Sequence, residues 1–296
     1  MLYRSFFNTI IHKLSHIVPD KLYLQIVYRR EMGKFLNLRD PKTFQEKLQW
    51  LKLYNRQIIY STMVDKYKVK DYVANIIGKK YIIPTLGVWD NANDIDFENL
   101  PDKFVLKTTH DSGGVIICND KSKFDRQKVI SILNNRLLNK VFFSNREWPY
   151  KNVIPRIIAE EYIEMPDGKE MIDYKIYCFN GVPKYIQVIQ NRATDETIDF
   201  FDIRWNHQEF TGLTKKCKKS KEEIIEPKNL KEMITIGAKL SVNIPFVRID
   251  LYNISGRIYF GEITFFPLSG LGSFTPAIWN EKMGDLIRLP EYKITI

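Results

Sequence analysis

Residues 247–270, VRIDLYNISGRIYFGEITFFPLSG, decide the fold. Val247, Ile249 and Leu251 alternate with Arg248, Asp250 and Tyr252, the period of a strand with two unlike faces. Asn253-Ile254-Ser255-Gly256 supplies turn chemistry, and residues 258–266 return as a β-branched and aromatic run. Antiparallel pairing across this turn brings Asp250 and Glu262 close together. A carboxylate among apolar strand residues costs free energy unless a cation or donor meets it. One resolution is a shared divalent ion; hard oxygen ligands and a substrate phosphate suit Mg2+. The other is a half-exposed sheet on which both acids face solvent and pair with Lys or Arg, since structural ion-pair networks also use strand acids. Arg248 lies on the same face as Asp250 and suits developing negative charge at a phosphoryl or tetrahedral centre.

Working outward, Leu230, Met233, Ile234 and Gly237 predict a helix leading into this hairpin. Residues 173–179 and 183–190 predict an earlier hairpin around Asn180-Gly181, with a turn before it at Pro166-Asp167-Gly168. Residues 104–107 predict a strand that enters a polar, glycine-bearing turn, 108–114, and returns at 115–118. Ile130, Leu133, Leu137 and Leu138 mark a helix, and residues 153–163 a strand. Tyr81-Ile82-Ile83-Pro84 and Gly87-Val88-Trp89 predict short strands. Val69, Tyr72, Val73 and Ile76 line one face of a helix that Gly78 ends. Residues 1–57 are expected to be helical, with Phe44, Leu48 and Leu51 on a face entered through a cap at Asp40-Pro41-Lys42-Thr43.

The 296 residues, 44% hydrophobic and 27% charged, describe a globular chain with a sizeable core. A net charge of +10 favours polyanions: nucleotide phosphates, lipid-linked glycans, acidic membrane surfaces or nucleic acid. Simple solubility explains the charge equally well. The basic runs lack interleaved aromatics, so no nucleic-acid partner is expected; the run at 215–221 reads as a solvated loop. Cys118, Cys178 and Cys217 form neither a CxxC pair nor an even framework, which fits a reducing cytoplasm. His12, His16, His110 and His207 offer no metal pair. No apolar run is long enough to span a bilayer. The opening MLYRSFFNTIIHKLSHIV lacks a cleavage site. It reads as packed on the body of the protein, with peripheral membrane contact as the alternative.

Ser112-Gly113-Gly114 follows the strand lysine Lys107. Glycines let backbone N–H groups approach a phosphate, and Lys107 can meet the same phosphates as a point charge. The spacing is neither a Walker A loop nor a GxGxxG, and an ordinary hairpin accounts for it as well. Lys66 follows an acid near a helix start, a common place for a surface lysine. Glu160-Glu161-Tyr162-Ile163 ends an apolar strand and can present backbone groups and a carboxylate to an adenine amino group, or simply two exposed acids. No nucleophile shows triad spacing.

The order of these elements resembles the ATP-grasp superfamily, and more closely the teichuronopeptide-biosynthesis-type (TupA-like) ATP-grasp proteins of bacterial surface-polysaccharide loci. The resemblance is carried by DPKTFQEK (40–47) with Trp50, by Asp65-Lys66-Tyr67, by Lys107 with HDSG (110–113), by DYKIYCFNG (173–181), and by residues 248–261. It implies an α/β (α+β) fold, with two α+β subdomains gripping ATP and a helical N-terminal extension. The divisions expected are 1–57 for the extension, 58–103 for a small α/β segment, 104–163 for the lid, and 164–296 for the C-terminal subdomain with the metal site. Lys66 and Lys107 would contact ATP phosphates under the loop Ser112, Gly113 and Gly114. Glu160, Glu161, Tyr162 and Ile163 would form the adenine side, with Asp173 near the ribose. Asp250 and Glu262 would hold Mg2+. Thr264 stands where many such enzymes carry Asn, which leaves its place as a ligand in question. Arg248 would stabilise the transferring phosphoryl group. His110, Lys175, Arg192, Ser269 and Gly270 are candidates for gripping the acceptor.

The implied reaction is ATP-dependent ligation of a carboxylate to an amine through an acylphosphate. The implied partners are a carboxylate-bearing sugar or glycan intermediate and an amino acid or amine, in capsule or O-antigen synthesis. A glycosyltransferase or glycan-modifying kinase is the alternative; its DxD signature occurs once, at Asp94-Ile95-Asp96, in a polar loop.

Overall fold

The computed structural model describes residues 16–165, 170–192, 194–213 and 218–291. The expected turn at 166–168, residues 1–15 with His12, and residues 214–217, which include Cys217 and the start of the basic run, lie outside the described residues.

The chain opens with α1 (Asp20–Met32), α2 (Phe44–Tyr54), α3 (Ile59–Val64) and α4 (Lys68–Ile77). The expected cap of α2 is a capping box. Thr43 Oγ1 accepts from the Glu46 N–H at 3.3 Å, and Glu46 Oε2 accepts from the Thr43 N–H at 3.0 Å. Asp65 Oδ1 accepts from the N–H groups of Tyr67 and Lys68, satisfying free donors where α4 begins. The strand expected at 81–84 is absent. Lys79–Tyr81 is a single 3-10 turn whose local bond, Ile82 N–H to the Lys79 carbonyl, uses up the donor a ladder would need.

β1 (Thr85–Trp89), β2 (Phe104–Thr108), β3 (Val115–Cys118) and β4 (Ile157–Glu161) form one sheet in the order β1-β4-β2-β3. β4 is shorter than expected, beginning after Pro155, which has no N–H to offer a ladder. α5 (Arg126–Leu137) closes this lid through a separate core of Phe104, Leu106, Val129, Leu133 and Ile157.

After α6 (Val141–Asn145), β5 (Asp173–Phe179), β6 (Val182–Gln190) and β7 (Thr197–Asp202) join β9 (Phe246–Ile254) and β10 (Arg257–Thr264) in a five-stranded antiparallel platform, ordered β10-β9-β5-β6-β7. The Asn180-Gly181 hairpin is present, with both turn residues at positive φ (49° and 81°) as a primed turn requires. A short β8 (Thr211–Gly212) pairs with β11 (Phe274–Thr275).

One face of the platform is apolar and packs on α7 (Leu230–Leu240). Gly237 permits the close approach: a Cβ there would stand 3.0 Å from Ile176 Cγ2. Met233 on α7 is fully buried, a burial that contributes roughly 1.5–3 kcal/mol. The main core also takes in α2, α3, α4 and α8 (Ile278–Asp285), so residues 58–77 pack with the platform while β1 belongs to the lid. α1 forms a small core of its own with Leu36.

Candidate active site

The second platform face carries the charges. β9 and β10 pair so that Asp250 lies opposite Glu262 and Arg248 opposite Thr264. On the other side of β9, Lys175 of β5 lies opposite Asp250. The residues required to share a face therefore do so. The Arg248 guanidinium grips Asp250 with two bonds, Nε to Oδ1 and Nη2 to Oδ2, both 2.7 Å. Nη2 also donates to Thr264 Oγ1 at 3.1 Å and reaches Glu262 Oε1 at 3.5 Å. Thr264 Oγ1 in turn donates to Glu262 Oε1 at 3.3 Å. Lys175 Nζ donates to Asp250 Oδ2.

The two acids are not equivalent. The Asp250 side chain is 4% exposed and held by two cations, whereas that of Glu262 is 43% exposed. Burial works to raise the Asp250 carboxyl, but Arg248 and Lys175 overcome it and hold it below the ordinary range. Arg248, although burial opposes its charge, is pushed further up by Asp250. Asp173, buried near Lys175 and bonded to half-exposed Arg192 at 3.0 Å, has its carboxyl raised by burial.

The lid supplies the opposing charges. Lys107 Nζ meets Glu160 Oε2 at 2.5 Å, and Lys70 from α4 meets Glu160 Oε1 at 2.6 Å. Burial pushes the Glu160 carboxyl up, but these two ammonium groups bring it below its usual value. Lys66 is half-buried and donates to the Asp111 carbonyl. Burial lowers its pKa, although Glu262, Asp111 and Glu160 all act on it in the opposite sense. Glu262 of the platform and Lys107 and Glu160 of the lid all act on the charge of Lys66, so the two clusters lie near one another around this lysine.

The glycine turn between β2 and β3 is organised by Asp111, whose Oδ1 accepts from Thr108 Oγ1 and from the Gly114 N–H at 3.1 Å. Gly114 has no room for a side chain: a Cβ would fall 1.9 Å from Thr108 Oγ1. Ser112 and Gly113 form the exposed tip. Glu161 is exposed, Tyr162 and Ile163 are half-buried, and the Glu161 N–H bonds the Pro84 carbonyl at 3.1 Å. His110 is buried beneath the loop rather than in the open cleft. Ser269 and Gly270 sit on a left-handed loop whose carbonyls point into α2.

Sequence reasoning missed Lys70, Lys52, Glu147 and Tyr150. Helical spacing does not point to Lys70, because Lys66 lies in the turn before α4 and the two share no helical face. Glu147 and Tyr150 lie in an irregular segment with no periodicity to read. Glu147 is buried and Tyr150 half-buried; both feel the charge of Glu262, and burial raises the pKa of each.

Among the described residues, no three His, Cys, Asp or Glu side chains gather as a metal site. A Mg2+ shared with substrate phosphates needs only one or two protein carboxylates. Glu262, open to the cleft, suits this. Asp250 presents a carboxylate already shared with two cations.

A lid sheet set over an antiparallel platform, with lysines on one wall and an Arg–Asp–Glu cluster on the other, is the α+β ATP-grasp architecture. The chain belongs to the TupA-like ATP-grasp family, whose model matches residues 46–288. No match is found among curated proteins. Among solved structures, it is similar to D-alanine–D-alanine ligase from Bacillus anthracis complexed with ATP, at 18% identity and a TM-score of 0.42, covering 76% of this chain and 63% of that one. The corresponding figures for D-alanine–D-alanine ligase from Helicobacter pylori are 16%, 0.43, 84% and 70%. For the ATP-grasp ligase PsnB complexed with minimal precursor, Mg and ADP they are 10%, 0.37, 75% and 57%. The family assignment rests on the matched span, not on these distant likenesses. Among the described residues, no helix is long and apolar enough to cross a membrane.

Proposed function

We propose that this protein is an ATP-dependent carboxylate–amine ligase. The observation that carries the reading is the gathering of charge around Lys66, on which Lys107 and Glu160 of the lid and Glu262 of the platform all act, with Arg248 bonded to Asp250 and reaching Glu262. Lys66 and Lys107 hold the ATP phosphates, with Lys70 keeping Glu160 in place beside them. The 112–114 loop covers the phosphates, residues 160–163 take the adenine, and Asp173 takes the ribose. Glu262 and Asp250 hold Mg2+, which neutralises phosphate charge when bound.

The acid's carboxylate oxygen attacks the γ-phosphorus in line, the bond to the β-phosphate bridging oxygen breaks, and ADP leaves. The amine then attacks the acylphosphate carbon, the C–O bond to phosphate breaks, inorganic phosphate departs, and the amine loses a proton to leave an amide. Positioning and electrostatics carry such steps. Arg248, fixed in direction by Asp250, meets charge on the transferring group and on the tetrahedral adduct. Lys175, bonded to Asp250, and Arg192, bonded to Asp173, suit an anionic acceptor, and Ser269 and Gly270 complete the proposed acceptor set. The family resemblance supports an acceptor that is a carboxylate-bearing sugar or glycan intermediate of surface-polysaccharide synthesis, handled in the cytoplasm.

The test is product analysis with Mg2+ and ATP. ADP release that requires both a carboxylate and an amine supports the ligase. UDP release from a nucleotide sugar, or phosphorylation of a sugar without amine, would overturn it.

A further inference from the structure

The loop after β10 is held in an unusual shape from outside the ATP-grasp core. Leu268, Ser269 and Gly270 take φ of 46°, 56° and 64°, three left-handed residues in a row. Leu and Ser adopt this region only where their surroundings over-determine it. Here the surroundings are α2. Lys52, 1% exposed, donates from Nζ to the Ser269 carbonyl at 2.8 Å, to Ser269 Oγ at 2.8 Å and to the Asn145 carbonyl at 2.9 Å. These acceptors use all the hydrogens an ammonium has. Gln49, one turn earlier, donates from Nε2 to the carbonyls of Ser269 at 3.0 Å and Gly270 at 2.9 Å. A Cβ on Gly270 would lie 2.7 Å from Gln49 Nε2, so the helix and loop are in direct contact.

Asn145 leads through Arg146 into Glu147 and Tyr150, both of which feel the charge of Glu262. A single ammonium thus ties together two separate segments, the 266–270 loop and the 145–150 segment. None of its hydrogen-bond partners belongs to the lysine cluster of the lid.

We propose that Lys52 is a positioning residue for the acceptor: it locks the left-handed loop to the 145–150 segment and so sets the part of the cleft that meets the acid rather than the nucleotide. The proposal deepens the ligase reading and rests on it. The same lysine makes α2 a structural member of the active site, not an appendage to it.

The test uses the full chain with Lys52→Met, and Gln49→Met as a milder second variant that keeps the ammonium. Three readouts are taken: affinity for a Mg2+-bound non-hydrolysable ATP analogue, amide hydrogen exchange, and hydroxamate formation from free hexuronic acids with hydroxylamine as the amine. In Lys52→Met, exchange rises together in peptides covering 265–271 and 143–150. The KM for the acid rises about tenfold, the scale expected of a sub-ångström displacement, while nucleotide affinity stays within about twofold. Gln49→Met shifts the same readouts less. Unchanged exchange in the two peptides, or loss of nucleotide affinity in step with acid affinity, overturns the proposal. A wild type that turns over no acid overturns the ligase reading and the acceptor role together, while exchange alone still decides whether the clamp exists.

Discussion

Asp250→Asn and Glu262→Gln remove the same charge from neighbouring positions, yet the structure assigns them different consequences. Asp250 is buried and takes two bonds from Arg248, each 2.7 Å, plus one from Lys175. An asparagine keeps one acceptor oxygen but turns an NH2 donor toward a cationic donor, and leaves two buried cations without their counter-charge. Breaking such a pair from one side costs about 3–5 kcal/mol. Glu262 is 43% exposed and its contact with Arg248 is long, at 3.5 Å. Its neutralisation costs no more than about 0.5 kcal/mol. Both variants are expected to lose Mg-ATP turnover. In urea at pH 7 without nucleotide, Asp250→Asn should unfold about 1 M or more earlier, taking a slope of about 3 kcal/mol/M, whereas Glu262→Gln should match the wild type. Equal midpoints for the two variants would refute the claim that Asp250 is first an anchor for Arg248. Normal turnover in Glu262→Gln would refute its assignment to the metal.

Lys107→Met should weaken Mg-ATP binding by about 10–100-fold, the worth of a charge-assisted hydrogen bond, with Glu160 still paired to Lys70; isothermal titration checks this. Gly114→Ala drives a methyl group into Thr108 Oγ1 and should open the glycine turn, seen as lost nucleotide protection of residues 108–115 in hydrogen exchange. Glu160 gives a pH prediction. Its folded carboxyl sits below its unfolded value, so its stabilisation is complete above about pH 4.5 and is lost as pH falls through the folded pKa. Glu160→Gln should therefore lose less stability than wild type between about pH 5 and pH 3, measured as urea midpoints across that range.

The platform was legible because its signals are local. Strict alternation at 247–252, the Ser255-Gly256 turn and the Asn180-Gly181 turn each fix a hairpin without reference to the rest of the chain. Register is less local: the Ser255-Gly256 turn alone would set Asp250 opposite Gly261, and the irregularity between Phe260 and Glu262 is what brings Glu262 opposite Asp250. Lys66, Lys107 and Glu160 were legible only through their order in the chain. The partner of Glu160 on α4, Lys70, depends on how a helix packs against the lid, which periodicity does not report. Residues 145–150 and the left-handed run at 268–270 were illegible for a stronger reason. Neither a run of φ > 0 at Leu and Ser nor an isolated buried lysine is favoured locally; each exists only because the other is present.

Thr264 shows how a departure from a motif can change a residue's work without removing it. Where a ligand amide is absent, the hydroxyl accepts from Arg248 at 3.1 Å and donates to Glu262 at 3.3 Å, so it joins the arginine to the open carboxylate. A hydroxyl can do both at once because it has one donor hydrogen and two lone pairs. Its contribution is then to aim Glu262, and what matters is the hydroxyl rather than the bulk of the side chain. Thr264→Val keeps the shape and removes the bridge, so turnover should fall about tenfold, roughly the worth of one net hydrogen bond, with nucleotide affinity in the absence of Mg2+ unchanged. Thr264→Ser should retain most activity. Steady-state ADP release across Mg2+ concentrations separates the outcomes: a valine variant rescued by raised Mg2+ would make Thr264 a direct ligand, and the orienting role would fall.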